Sequence, residues 1–256
     1  MRQSTLDIFK KMFPSLLIYL VILSVYSLIT NLMGLGTEAI FTMPDPGEIA
    51  PPTFNPDGES FLAIILQLLY FIIVGLVGLG IVLSIYRIAR YGTDVSFADQ
   101  FYFFNRKWFK AILTHFVSSL FTLIGLALLV VPGIVFSIAM VPLGAVMGVN
   151  YLKGEYGIMK SIRDSWNMTK GFKSMIFGRI VIAGVIVLVI AIASTIAVMA
   201  AGAAGPMAYI QQVVLTIVTG LIMYVALIDI IRELVERGAF ERIDKREESL
   251  EEGEIV

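Results

Sequence analysis

From Ala111 to Leu152 the chain runs without one formally charged side chain, interrupted by Pro132-Gly133. As a single α-helix that stretch would measure about 60 Å, twice the roughly 30 Å hydrocarbon core of a bilayer. One kinked helix therefore fails on length. The stretch reads as two spans, Ala111–Val131 and Ile134–Tyr151, folded back on each other at Pro132-Gly133. The whole chain is 58% hydrophobic and 15% charged, against about 45–50% and about 25% for soluble domains. Its apolar residues fall in long uncharged runs, so the bilayer is the better solvent for it.

Four more apolar runs stand at Pro14–Leu35, Phe61–Tyr86, Ile176–Ala200 and Val213–Ile228, the second closed by Arg87 and Arg90 and the third carrying one charge, Arg179, near its start. The first exceeds the roughly 7–15 residues of a signal-peptide apolar region and lacks a clear A-x-A site, so it reads as a retained span. The expected fold is all-α: a polytopic integral membrane bundle of six transmembrane helices over residues 1–238. An acidic tail, 239–256, completes it.

Charge then orients the spans. The linker Gly36–Ser60 carries Glu38, Asp45, Glu48, Asp57 and Glu59 but no Lys or Arg. The turns at Pro132-Gly133 and Gly202–Gln212 carry no charge at all. All 19 basic residues lie in the other set of segments. The positive-inside rule puts that set, with both termini, in the cytoplasm of a cell-membrane protein.

A short pattern precedes each odd-numbered span: Ser4-x-x-Asp7-x-Phe9, Ser96-x-x-Asp99-x-Phe101 and Ser161-x-x-Asp164-x-Trp166. Basic-aromatic clusters come after it each time, at Lys10–Phe13, Arg106–Lys110 and Lys170–Lys173. Ser with an acid three residues on is a helix-start signal of the capping-box kind. Aromatics beside cations suit a helix lying in the membrane interface. The expectation is three helical hairpins, each preceded by a cytoplasmic interfacial helix.

The stretch Val131-Pro132-Gly133-Ile134, then Glu155, then Ser161–Gly171 with Trp166 at its centre, resembles a broad prokaryotic group of six-span proteins. That group includes the membrane domain joined to some glycerophosphodiester phosphodiesterases, and stand-alone members of unknown function. The resemblance implies association with lipid or lipid-derived matter. The catalytic phosphodiesterase domain has no counterpart in this sequence, so hydrolase activity is not expected.

Chemistry is scarce. Cysteine is absent and histidine occurs once, as His115, which removes thiolate catalysis, Cys-ligated zinc and two-His metal sites. No catalytic signature, nucleic-acid-binding constellation, metal site or cofactor site is present, and the chain is read as non-enzymatic. Gly75, Gly78 and Gly80 inside the second span suit close helix packing. So do Gly144 with Gly148, and Ala193, Ala197 and Ala201 continuing to Gly205, within the chain or between copies in a homo-oligomer. His115, near the inner boundary, reads as a satisfied interfacial histidine, and Asp229 as a partner for Arg232. Pro142 should kink the fourth span.

The cytoplasmic rim carries the remaining candidate residues. Lys160, Arg163, Lys170 and Lys173 surround Trp166, with Arg106, Lys107 and Lys110 nearby in topology. Such clusters attract anionic lipid headgroups at about 1 kcal/mol per cation, although the positive-inside rule alone would also produce them. Two functions stay open: a protein that engages lipids or organises the membrane, and a transporter or channel for a small or amphipathic solute. Scarce midplane charge weighs against ion-coupled transport. A continuous polar path would favour transport, and a bundle with lateral grooves would favour lipid binding.

Overall fold

The computed structural model describes residues 3–32, 41–42, 53–54, 58–104, 107–200 and 206–242, with side chains over 3–26, 65–104, 107–198 and 210–242. Among the described residues eight α-helices occur in order: α1 Thr5–Leu32, α2 Gly58–Tyr91, α3 Trp108–Leu128, α4 Val130–Met140, α5 Leu143–Leu152, α6 Ile158–Met168, α7 Lys173–Ala200 and α8 Pro206–Glu236. A 3-10 segment, Phe97–Phe104, joins α2 to α3, and Phe41 and Thr42 pair antiparallel with Phe54 and Thr53. Helices α1, α2, α3, α7 and α8 are each long and apolar enough to cross a membrane. The bent pair α4–α5 makes a sixth if its halves count as one broken span. The class of protein is thus an all-helical chain with the helices of a multi-pass membrane protein.

Helix α2 stands at the centre. Its Leu76, Ile81, Leu83, Ile85 and Ile88 are fully buried, and α1, α3, α5, α8 and the 3-10 segment all pack on it. Helix α1 leans on α8 far more than on α2, through the stripe Ile8, Met12 and Leu16. Spacings of four residues put that stripe on one helix face. The pairs α3–α4 and α7–α8 lie side by side.

Three sequence expectations change here. Ser4 and Asp7 do form a capping box, with the Ser4 N–H donating to Asp7 Oδ2 at 3.2 Å and the Asp7 N–H to Ser4 Oγ at 3.2 Å. The helix they start, however, runs unbroken through Pro14 into the apolar run. No separate interfacial helix precedes it, because the same stripe buries both parts against α8. The Ser96–Asp99 pair repeats the box, the Ser96 N–H donating to Asp99 at 2.7 Å. It opens the 3-10 segment, whose Gln100 and Phe103 are buried. Ser161 and Asp164 cap nothing: α6 starts after Gly157, and both residues face inward in its middle.

The turn between α3 and α4 falls at Leu129, in extended backbone, rather than at Pro132-Gly133. Pro132 sits in the first turn of α4, where its missing N–H leaves no bond unmade. Gly133 lets α3 approach, since a Cβ there would stand 2.7 Å from Leu126 Cα. The fourth span breaks at Val141-Pro142, with a 45° bend between α4 and α5. The close of α8 also differs. Gly238 takes φ +66°, and the Ala239 N–H reaches back to the Leu234 carbonyl at 2.9 Å. This Schellman turn folds Ala239 and Phe240 into the bundle, with the Phe240 ring 4.4 Å from that of Tyr86. The first residues assigned to the acidic tail therefore pack as core; residues 243–256 lie outside the described part.

Candidate functional site

The basic ends of the helices gather at one end of the bundle. Thr5 of α1 donates to Asp229 of α8 at 2.9 Å, and Lys11 pairs with Asp94 beyond α2 at 2.7 Å. Arg90 of α2 meets Glu241 at 3.0 Å, and Arg242 donates to the Lys170 carbonyl at 3.0 Å. Arg179 of α7 forks onto Asp229 at 3.0 Å and Glu233 at 3.1 Å. The expected Arg232–Asp229 pair is present at 3.1 Å.

Within this rim most candidate cations already have partners. Lys107 lies 4.1 Å and Lys110 5.4 Å from the Tyr156 ring centroid. Lys173 stands 3.1 Å over the Trp166 ring at the mouth of α7. Lys160 pairs with Glu155 at 3.1 Å. Arg163 and Lys170 are exposed, and no partner reaches either side chain among the described residues. Arg106 lies outside the described residues.

The inner face of α6 is polar, which the interfacial reading did not anticipate. The Asn150 amide of α5 donates to Asp164 Oδ2 at 3.2 Å, and Ser165 Oγ donates to the Ala139 carbonyl at 2.7 Å. Helix α6 is thereby fastened beneath α4 and α5. Its outer face carries Met159 and Arg163, with Lys170 just beyond its end.

A concavity of about 610 Å³ lies deeper, between α2 and α3. Helix α2 contributes Phe71, Val74, Gly75, Gly78, Leu79 and Val82, and α3 contributes His115, Ser118, Ser119, Thr122, Leu123 and Leu126. The broken span closes it with Ser137, Met140, Val141, Leu143 and Gly144, and Tyr19 of α1 adds an edge. The bend explains the opening. Helix α4 stays with α3, whereas α5 turns to α2, where a Cβ on Gly144 would stand 2.9 Å from the Leu79 carbonyl carbon. A wedge is left between α2 and α3.

Gly78 faces this wedge, with nothing within 4 Å of where its Cβ would be. Gly80, two residues on, instead meets the Gln100 backbone, its Cβ position 2.6 Å from that carbonyl carbon. Gly148 abuts the Leu83 methyls. The glycines expected to pack helices thus divide into contact and cavity. Ala193 and Ala197 are exposed on α7, and Ala201 lies outside the described residues.

His115 is half-buried and fits the notch over Gly75, its ring 5.2 Å from that of Phe71. No hydrogen bond from the described residues reaches it. A second, wholly apolar pocket of about 110 Å³ lies on its other side, lined by Leu68, Phe109 and Phe116 among others. The pattern His115-x-x-Ser118-Ser119-x-x-Thr122 puts four polar side chains on one helical stripe. That periodicity was legible in the sequence, but a helix with no charge drew attention only to its ends. The chain matches no family model, no curated protein and no solved structure.

Proposed function

We propose that this chain is a non-enzymatic, six-span membrane protein that engages lipid through the groove between α2 and α3. In this reading the charged end faces the cytoplasm, with both termini, and α4–α5 is one broken span. The observation that carries it is the shape and lining of the groove: mostly apolar, wide, and walled by helices whose outer faces are themselves apolar. An acyl chain could enter such a space from the side. On α3 the lining runs from His115 to Leu126, about 16 Å at about 1.5 Å per residue. A transport path must cross a core of about 30 Å, so lipid engagement is favoured over passage. The resemblance to the membrane domain of some phosphodiesterases leans the same way. Apart from the groove, the exposed Arg163 and Lys170 at the charged end of the bundle would hold anionic headgroups of the surrounding membrane.

The test uses Gly78→Phe, because a side chain at Gly78 enters open space. Wild-type protein purified in mild detergent should retain lipid in near-stoichiometric amount by native mass spectrometry. The variant, monodisperse and folded, should lose it. Equal lipid in both would sink the groove as the lipid site.

A further inference from the structure

We infer that the groove takes a neutral long-chain amphiphile, held by one uncharged hydroxyl or carbonyl group at His115, Ser118 and Ser119. The inference deepens the lipid reading above and rests on it.

Three observations separate this ligand from an ordinary phospholipid. First, none of the described lining residues carries a formal charge. The cations at the start of α3, Lys110 and the preceding Lys107, lie on the Tyr156 ring. A phosphate drawn inside would find no countercharge. Second, the polar stripe is deep. His115 lies seven residues from the start of α3 at Trp108, about 10 Å along the helix, and Ser119 about 16 Å. Headgroup phosphates sit at the interface, and a formal charge at this depth is costly.

Third, the stripe has unused hydrogen-bonding capacity. Thr122 Oγ1 donates to the Ser118 carbonyl at 3.1 Å and Ser137 Oγ to the Ile134 carbonyl at 2.8 Å, so both hydroxyl protons are taken. The His115 imidazole and the Ser118 and Ser119 hydroxyls have no such partner among the described residues. Together they offer donors and acceptors on one face, which a hydroxyl or ester carbonyl satisfies and a bare alkyl chain does not. Around them Phe71, Val74, Val82 and Leu123 would receive the first part of the chain. The volume lies within the roughly 300–1,000 Å³ of ligand pockets.

The experiment photocrosslinks purified full-length protein in detergent with diazirine-bearing hexadecanol. Unlabelled hexadecanol, hexadecane and dioleoyl phosphatidylglycerol serve as competitors. Label should map to α2 or α3, and hexadecanol should displace it at a severalfold lower concentration than either competitor. Ser118→Ala/Ser119→Ala and, separately, His115→Phe should raise the hexadecanol concentration required about three- to tenfold, the effect of one or two neutral hydrogen bonds. Hexadecane competition should not move. The serine pair guards against a histidine variant that fails to fold. Equal displacement by hexadecane, or better displacement by the phosphatidylglycerol, overturns the inference and leaves the lipid groove standing. Labelling that persists undiminished in Gly78→Phe overturns both.

Discussion

Two glycines two residues apart in α2 allow the packing of this bundle to be weighed in one comparison. Gly78 and Gly80 are both interior helix positions, so replacing either by Ala gains the same helix propensity, up to about 1 kcal/mol. Their surroundings differ completely. A methyl on Gly78 enters empty space, whereas one on Gly80 stands 2.6 Å from the Gln100 carbonyl carbon. Carbon atoms rest about 3.5–4.0 Å apart, so the 3-10 segment must retreat by about an ångström. That displaces backbone and loosens the buried Gln100 and Phe103 with it. Overpacking of this kind costs about 1–3 kcal/mol.

The expected gap between Gly78→Ala and Gly80→Ala is therefore about 1–3 kcal/mol, with the propensity gain cancelling. At about 2–4 °C per kcal/mol for a chain of this size, the two should differ by roughly 2–12 °C in thermal unfolding of detergent-solubilised protein. Gly78→Ala should melt at or above wild type. Gly148→Ala should fall between them, since the Leu83 methyls it meets can rotate away. Coincident melting of the Gly78 and Gly80 variants would refute the docking of Phe97–Phe104 on α2.

The rim supplies three further tests. Arg179→Ala leaves the Asp229 and Glu233 carboxylates without the guanidinium they share, and should cost about 1–3 kcal/mol in thermal stability, whereas Arg163→Ala should cost nothing measurable. Arg163→Gln with Lys170→Gln should weaken binding to anionic liposomes by up to about thirtyfold at low salt, and far less at high salt; Lys160→Gln with Lys173→Gln should instead lower stability. Cysteine probes at Arg90 and Lys160 should react only from the cytoplasmic side and one at Asp57 only from outside, and outside labelling at Lys160 would break the six-span arrangement.

Apolar runs were the legible part of this sequence, because helix length and bilayer thickness are both set by simple geometry. Each run reappears as a helix or, for Ile134–Tyr151, as a broken pair. Its short polar pattern was less reliable. Ser4–Asp7 and Ser96–Asp99 make the same local bonds, yet one opens a long helix and the other a 3-10 segment. Tertiary burial decides which element each cap opens, through Ile8 and Met12 in the first case and Gln100 and Phe103 in the second. The third copy became an interior surface because Asn150 and the Ala139 carbonyl lie opposite it. No local spacing reveals such partners. The groove was illegible for the same reason, being a space between helices that no single helix encodes.

Pro142 is where that space originates, and it gives the groove a test independent of its lining. Proline has no N–H to offer the Ile138 carbonyl, and its ring crowds that position. The Val141 N–H takes the Ile138 carbonyl instead, at 3.4 Å, and a new helix starts from the Pro142 carbonyl, which accepts from Val146 at 3.1 Å. The 45° bend results. It lets α4 keep to α3 while α5 reaches α2. Pro142→Ala restores the missing donor and removes the clash, worth about 3 kcal/mol in a helix interior. Against that stands the α2–α5 contact at Gly144 and Gly148, which straightening would break. If the second term is smaller, the variant straightens, and retained lipid falls together with that contact. Hydrogen exchange of the α5 backbone amides reports the contact, since amides released from α2 exchange faster. Lost lipid with α5 still protected would refute the bend as the origin of the groove, and so would a deprotected α5 with lipid unchanged.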